Sequence, residues 1–476
     1  MTDIALNWIG GEWLAARTVG TSTNPATGEV VGRFADGGAA EADAGIAAAR
    51  RAFRETSWSR DRQLRHRVLS ELADRFDARA EVLAASLTRE NGKTLHEAGL
   101  ELGLVSATLR HSAGQALTAA GVAAEALPGV FFSQLAEPVG VISVIVPWNA
   151  PIALFVRSLG PALAAGNAVV AKLPAQTALT NALVSEVIAS VEALPKGIVN
   201  VFTETGNTGA PRLVDAPGVD VVSYTGSVEV GRRVGAAAGA ALKRVNLELG
   251  GKSPMIVFDD ADLARTLPLL VQGLIVTAGQ FCMAGTRILV QRGIADTVRE
   301  QLAAALSQVV VGPGDDPASQ MGPLIDAASA DRVEAFVEAA LAYAKPVVRG
   351  GRVVDRPGAF YRPSLLEVED LDVPLVQEEI FGPVGTFEVF EDEVDAVRRA
   401  NGTQFGLAAA VFTRDGNRAR KVSRELAAGT VWTNGYFALD DGFAEGGYKS
   451  SGVGRLRGPL GLAEFQEAKT YVEVTG

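Results

Sequence analysis

A chain of 476 residues is too long to wrap one hydrophobic core, so two or three domains are expected. With 48% apolar and 21% charged residues, its composition is that of a folded globular protein and excludes a disordered one. A net charge of −11 and a pI near 5.1 argue against general affinity for nucleic acid or anionic membrane, because binding phosphate requires a concentrated positive field.

The start, Met1-Thr2-Asp3-Ile4, has no basic region followed by an apolar run, so no secretory signal is expected. One cysteine rules out a disulfide within the chain, and a cytoplasmic setting is the expectation. His66, His96 and His111 show no metal-ligand spacing and read as helix surface or packing; no metal is expected.

Residues 39–90 carry helical patterns. Leu64, Val68, Leu72 and Phe76 recur at spacing four, and Asn91-Gly92 supplies a stop. The stretch 119–138 has no clear period. Then strands and helices alternate: strand Val141–Val146, helix 152–165, strand Ala168–Lys172, helix 177–192, strand Ile198–Phe202, strand Val219–Tyr224, helix 228–240 and strand Arg244–Leu249. Such alternation marks a parallel sheet with crossover helices, a doubly wound nucleotide-type domain.

After Gly250-Gly251 a second α/β series begins. Its strands are Met255–Phe258, Ile288–Gln291, Val347–Arg349, Gly385–Phe390 and Ala408–Phe412, with helices near 295–308, 328–344 and 416–427. Asp259, Asp260 and Asp262 are placed to start a helix. The tail from 455 ends in a strand-like run, Thr470–Val474. Two segments, 138–171 with the single charge Arg157 and 266–286 with none, are apolar enough to suggest membrane spans. Their prolines, glycines and amides make them buried elements broken by loops instead.

Four local patterns offer chemistry. Cys282, in Gly279-Gln280-Phe281-Cys282-Met283, is either a small core residue or a nucleophile in a glycine-bracketed loop whose backbone N–H can face a reacting oxygen. Glu248 shares a strand face with Asn246, opposite Val245, Leu247 and Leu249. It is either a solvated glutamate or a general base whose pKa burial raises. Asn149, in Pro147-Trp148-Asn149-Ala150-Pro151, is a turn former or a fixed amide donor for an oxyanion. In Tyr224-Thr225-Gly226-Ser227, a strand runs through glycine into a helix capped by Ser227, which is a plain cap or a phosphate seat.

Taken together and in order, these motifs resemble the aldehyde dehydrogenase superfamily over nearly the whole chain. Asn24-Pro25-Ala26-Thr27-Gly28-Glu29 and Glu90-Asn91-Gly92-Lys93 look like its entry motifs. Pro147-Trp148-Asn149, Glu248-Leu249-Gly250-Gly251-Lys252, Gly279-Gln280-Phe281-Cys282 and Glu378-Glu379-Ile380-Phe381-Gly382-Pro383 resemble its active-site motifs, and Gly446-Gly447-Tyr448-Lys449-Ser450-Ser451-Gly452 its late loop. The resemblance implies a Rossmann-like parallel-sheet cofactor domain (1–118 and 139–249), a second α/β catalytic domain (250–450) and a small β oligomerisation arm (119–138 and 455–476). A homodimer or homotetramer follows from it.

The resemblance also implies roles. Cys282 attacks the aldehyde, Asn149 and the Cys282 N–H hold the oxyanion, and Glu248 activates the water that releases the acid. NAD or NADP takes the hydride. Lys172 and Glu379 would hold the two riboses, Phe381 would pack near the nicotinamide, and Pro147, Trp148, Gly206, Gly226 and Ser227 would line the dinucleotide. Ala150, Arg157, Phe281, Met283, Leu439 and Glu445 would line the substrate tunnel.

Two departures bear on specificity. Ala175 stands where NAD-preferring relatives often carry a glutamate, which removes a barrier to the 2′-phosphate of NADP. Arg157 and Glu445 are charged where aromatic residues are common. Arg157 suits the carboxylate of a semialdehyde or an aromatic aldehyde, Glu445 suits an amino-aldehyde, or the two pair with each other. The alternative functions are a CoA-acylating relative, which the retained Glu248 opposes, and a non-catalytic protein on the same fold.

Overall fold

A computed structural model describes residues 4–118 and 121–475. Residues 1–3 at the expected leaderless start, and 119–120 and 476 at the ends of the expected arm, lie outside the described residues.

Short β-branched runs build the first sheet. Val141–Ile145 and Val221–Thr225 are buried at every position, and Ala168–Pro174 at nearly all. From one edge to the other the order is Gly452–Val453, Arg244–Glu248, Val221–Thr225, Val141–Ile145, Ala168–Pro174, Val199–Glu204, Asn7–Ile9, Glu12–Leu14. The five central strands are parallel. The chain order along the sheet reverses between Val141–Ile145 and Val221–Thr225, and open α/β sheets bind ligands in the crevice beyond such a reversal. Pro147-Trp148-Asn149 and Gly226-Ser227 follow these two strands.

The second sheet has seven strands, in the order Lys345–Val348, Ser364–Glu367, Val384–Phe390, Arg287–Gln291, Pro254–Val257, Ala408–Phe412, Thr430–Thr433. All pairs are parallel except the first. Inside it the Arg287 guanidinium and the Glu388 carboxylate pair at 2.7 Å with neither side chain exposed. A third, antiparallel sheet joins Val122–Leu127, Val130–Pro138 and Gln466–Val474, with Gln466 opposite Pro138 and Val474 opposite Val130. The fold is thus α/β with two mainly parallel sheets and a small β arm. Among the described residues no helix is long and apolar enough to cross a membrane. The two apolar segments hold helices of 15 and 13 residues, Pro151–Ala165 and Leu263–Ile275.

The helical region 39–90 is three helices, Ala39–Glu55, Arg62–Ala78 and Ala80–Asn91. Asp61 caps the second by accepting from the Leu64 N–H, and Gly92, at φ 86°, ends the third. The 23-residue helix Leu95–Leu117 was not anticipated. A reciprocal Thr94–Glu97 box starts it, and its buried face carries Glu101, Ser106, Thr108 and Ser112, which blur the apolar period.

Candidate active site

The Asn149 loop is pinned from behind. Pro151 opens the following helix at its first turn, where the missing N–H costs nothing. Asn91 Nδ2 donates to the Trp148 carbonyl (2.7 Å) and Lys93 Nζ to the Asn149 carbonyl (2.7 Å). Lys93 also pairs with Glu101 at 2.5 Å, while the other Glu101 oxygen accepts the Ile152 and Ala153 N–H groups at 2.9 and 3.1 Å. Lys93 and Glu101 are both buried. Asn149 is 3% exposed and its side-chain Oδ1 has no partner, so its backbone is held while the side-chain amide stays uncommitted. Sequence reasoning gave Lys93 only as part of an entry motif and missed Glu101, because a charge on a helix normally marks a solvated face. Lys93→Met strands a buried carboxylate and frees the loop, so kcat should drop about tenfold to a hundredfold with a much smaller change in cofactor affinity. Steady-state rates beside a cofactor titration by fluorescence check this.

Cys282 sits on a strained turn. Thr277 and Ala278 have φ of 48° and 53°, left-handed values that residues with side chains seldom adopt, and Gly279 follows at φ 69°. A Cβ at Gly279 would collide with the Gly382 carbonyl and Pro383, so only glycine fits. The Thr277 N–H donates to Glu97 Oε1 at 2.6 Å, which anchors this turn to the helix whose start also holds the Asn149 loop. Gln280 bonds the Thr277 carbonyl (3.1 Å) and accepts the Ile325 N–H (2.9 Å). The Cys282 thiol is partly buried, and its backbone N–H makes no backbone hydrogen bond. Burial pushes the thiol up to about 12, with Arg157 acting in the opposite sense and Glu445, Glu379 and Glu248 reinforcing the rise.

Glu248 ends the strand Arg244–Glu248, is 3% exposed, and has one oxygen without a partner. Pairing of that strand with Gly452–Val453 takes it off the sheet edge, so the solvated-glutamate reading does not hold. Burial raises its carboxyl to about 8; Arg157 opposes the rise, Glu445 adds to it, Arg455 opposes and Glu464 adds. The Cys282 carbonyl lies against Gly251 in the loop after Glu248, where a Cβ would collide with it, so the thiol's loop and the end of this strand meet at one site.

The other crevice residues gather around it. Trp148 and Phe381 meet edge to face at 5.5 Å. Glu379 accepts the Gly251 N–H at 3.0 Å, and a Cβ at Gly250 would collide with its carboxylate. Burial raises Glu379 to about 7, against the pull of that N–H and of Lys252. Lys172 lies at the carboxyl end of its strand; burial lowers its pKa and Glu204 opposes that. Ser227 caps the helix Val228–Ala240 through the Val230 N–H, as expected, and the Gly226 N–H donates to the Glu248 carbonyl at 3.0 Å. Gly206 is exposed in the loop after Val199–Glu204. Open glycine backbone, a capped helix start and a half-buried lysine in one crevice fit a dinucleotide.

Of the tunnel candidates, Phe281 packs edge to face on Phe437 at 5.5 Å, and Leu439 and Glu445 line a cavity of about 420 Å³ with Trp432, Phe443 and Arg457. Ala150 is partly buried as the residue before the helix Pro151–Ala165. Met283, 1% exposed, packs in the core of the second sheet, and its carbonyl accepts the Tyr436 hydroxyl at 2.7 Å. Arg157 and Glu445 pair with each other at 2.5 Å, both buried. Among the described residues no three His, Cys, Asp or Glu side chains gather to hold a metal.

A thiol on a strained loop, a fixed amide and a buried carboxylate beside a dinucleotide-type crevice define the class. The sequence profile of the aldehyde dehydrogenase family matches residues 13–471, and the chain belongs to that family. It is 38% identical to human retinal dehydrogenase 2 over 451 residues, 94% of this chain and 87% of that protein. It is 35% identical to betaine aldehyde dehydrogenase of Bacillus subtilis over 470 residues, 97% and 96% of the two chains. The crystal structure of betaine aldehyde dehydrogenase from Staphylococcus aureus in complex with NAD+ matches with a TM-score of 0.97 at 34% identity, covering 99% of this chain and 95% of that one. The protein is an oxidoreductase acting on aldehydes.

Proposed function

We propose that the protein oxidises an aldehyde to its free carboxylic acid with NAD, and tolerates NADP, through Cys282 as nucleophile. The observation that carries this reading is the close approach of the Cys282 loop to the loop after Glu248, with the Asn149 backbone carbonyl held by Lys93 just ahead of the helix that anchors the thiol's turn. Thiolate attack on the carbonyl carbon makes a C–S bond and places negative charge on oxygen. The Asn149 amide and the Cys282 N–H are the donors for that charge. A nicotinamide dinucleotide supplies the two-electron oxidant, which accepts hydride from the substrate carbon. Glu248, as carboxylate, removes a proton from water as the water adds to the Cys282 thioester. The C–S bond then breaks and the acid leaves.

Lys172 and Glu379 serve the two riboses. Gly206, Gly226, Ser227, Pro147 and Trp148 line the dinucleotide, and Phe381, in ring contact with Trp148, packs beside the nicotinamide. Residues 1–118 and 139–249 carry the cofactor side, 250–450 the nucleophile, and 119–138 with 455–476 the contact between subunits. Phe131, Leu135, Val472 and Val474 leave apolar surface on that arm, as a homodimer or homotetramer would use. A cytoplasmic setting suits a chain with one partly buried thiol.

The substrate is a small-molecule aldehyde. A fixed, charge-compensated Arg157 weakens the case for a substrate carboxylate. The experiment is an aldehyde panel run with both dinucleotides and with product analysis. Free acid as the product supports hydrolysis, and acyl-CoA formed on adding CoA would replace that reading with the acylating one. Since Ala175 presents no carboxylate to a 2′-phosphate, the ratio of kcat/KM for NAD and NADP should stay below about a thousandfold, roughly 4 kcal/mol; a larger ratio removes the tolerance.

A further inference from the structure

Behind the reacting groups runs a buried chain of alternating charge that neither the hydride acceptor nor the oxyanion donors require. Asp441 binds Arg457 Nη1, and Arg457 Nε donates to Glu445 Oε2 at 2.8 Å. Arg157 Nη1 donates to Glu445 Oε1 at 2.5 Å, and Arg157 Nη2 to Thr225 Oγ1 at 3.1 Å. Thr108 closes the far end, donating to Asp441 at 2.8 Å and accepting from Arg457 at 3.3 Å. The backbone clamps Glu445 as well, through reciprocal 2.8 Å hydrogen bonds with Leu456, and Arg457 is held at a left-handed φ of 59°.

The near end of the chain points at the chemistry. Thr225 is the direct cross-strand neighbour of Glu248, and residues paired in this way project to the same face of the sheet, so the guanidinium hooked on Thr225 sits on the face that carries the Glu248 carboxyl. Arg157 Nε is buried and has no partner. Both reacting groups work as anions, a thiolate and a carboxylate, so a cation beside them favours their active forms.

We propose that Glu445 and Arg457 are positioning residues that divide the positive charge of Arg157 between an internal ion pair and the reacting anions. This rests on Cys282 and Glu248 being the reacting groups. A lone buried arginine next to the thiol would hold it as a thiolate; a fully neutralised one would give no help. Glu445 sets the balance, because it withdraws part of the field, and Arg457 limits how much Glu445 withdraws by occupying its second oxygen. The thiol's loop reaches the same place, because a Cβ at Gly251, in the loop after Glu248, would collide with the Cys282 carbonyl; there Arg157 lowers, and Glu445 raises, the pKa of both Cys282 and Glu248. Other titratable groups facing the pair are Glu379 and Tyr436 at the thiol, and Arg455 and Glu464 at the carboxyl.

Cys282 is the only cysteine, so iodoacetamide alkylation of the full-length protein reads this thiol alone. Rate constants are measured between pH 7 and 10, where the rate follows the thiolate fraction; a one-unit fall in pKa raises it about threefold after allowing for the weaker nucleophile. Glu445→Gln should alkylate at least about threefold faster than wild type at each pH. Arg457→Gln should be slower, and Arg457→Lys should recover the wild-type rate. Opposite signs from two residues in contact are not what general loosening produces. Equal rates, or shifts of one sign in both glutamine variants, overturn the proposal. If Glu445→Gln does not fold, Arg457→Gln against Arg457→Lys decides alone, with equal rates overturning it. The base reading is tested separately, by whether Glu248→Gln retains steady turnover; that result leaves the alkylation comparison standing.

Discussion

Cys282→Ala should lose aldehyde-dependent NADH formation by about five orders of magnitude while still binding NAD. Removing the attacking atom of a covalent mechanism leaves only the catalysis that binding and oxyanion donors provide, and losses on the order of a millionfold accompany removal of a comparable nucleophile. The substitution trims one partly buried sulfur and changes no hydrogen bond made by the turn at Thr277–Gly279, which is held by Glu97, Gln280 and the Gly382–Pro383 backbone. Absorbance of NADH at saturating aldehyde gives the rate, and quenching of tryptophan fluorescence by NAD, with Trp148 in the crevice, gives the binding. Retention of even a hundredth of the wild-type rate would mean that hydride leaves without a thiohemiacetal.

Glu248→Gln should form about one NADH per active site in a rapid phase and then slow by two to four orders of magnitude, because a buried amide cannot take a proton from water. The acyl group remains on sulfur and is visible by mass spectrometry of the intact protein. A wild-type steady rate with no burst would remove Glu248 from the hydrolytic step. The pH dependence has a definite sign. Burial raises the carboxyl to about 8, and only the carboxylate acts as a base, so hydrolysis should climb about tenfold per pH unit up to about pH 8 and then level off. For stability the same shift runs the other way. Between the ordinary glutamate value near 4.5 and about 8 the folded protein holds a proton that the unfolded chain has released, so this group's contribution to stability falls as pH rises through that window.

Much of the architecture was legible because buried parallel strands must be short β-branched runs. Val141–Ile145 was marked by composition alone, and Ser227 was readable as a cap from its place between a strand and a helix. What escaped notice had polar residues where an apolar period was sought. The helix Leu95–Leu117 buries Glu101 and Thr108 because each has a buried partner, and no spacing rule reveals a partner 51 or 333 residues away. The ion pair of Arg157 with Glu445 spans 288 residues and was only one of several readings until the two loops met in space. The strand Gly452–Val453 is two residues long, too short for any periodicity.

That two-residue strand has a consequence for how the protein is made. It covers the flank of Arg244–Glu248, and Leu249 is tied to Ser451 by an N–H to carbonyl bond of 2.9 Å. During translation, then, some two hundred residues must leave the ribosome after Glu248 before its strand acquires its last neighbour. Until then the nascent first domain presents a bare ribbon that other chains can pair with, so chaperone dependence should persist until the final segment is made.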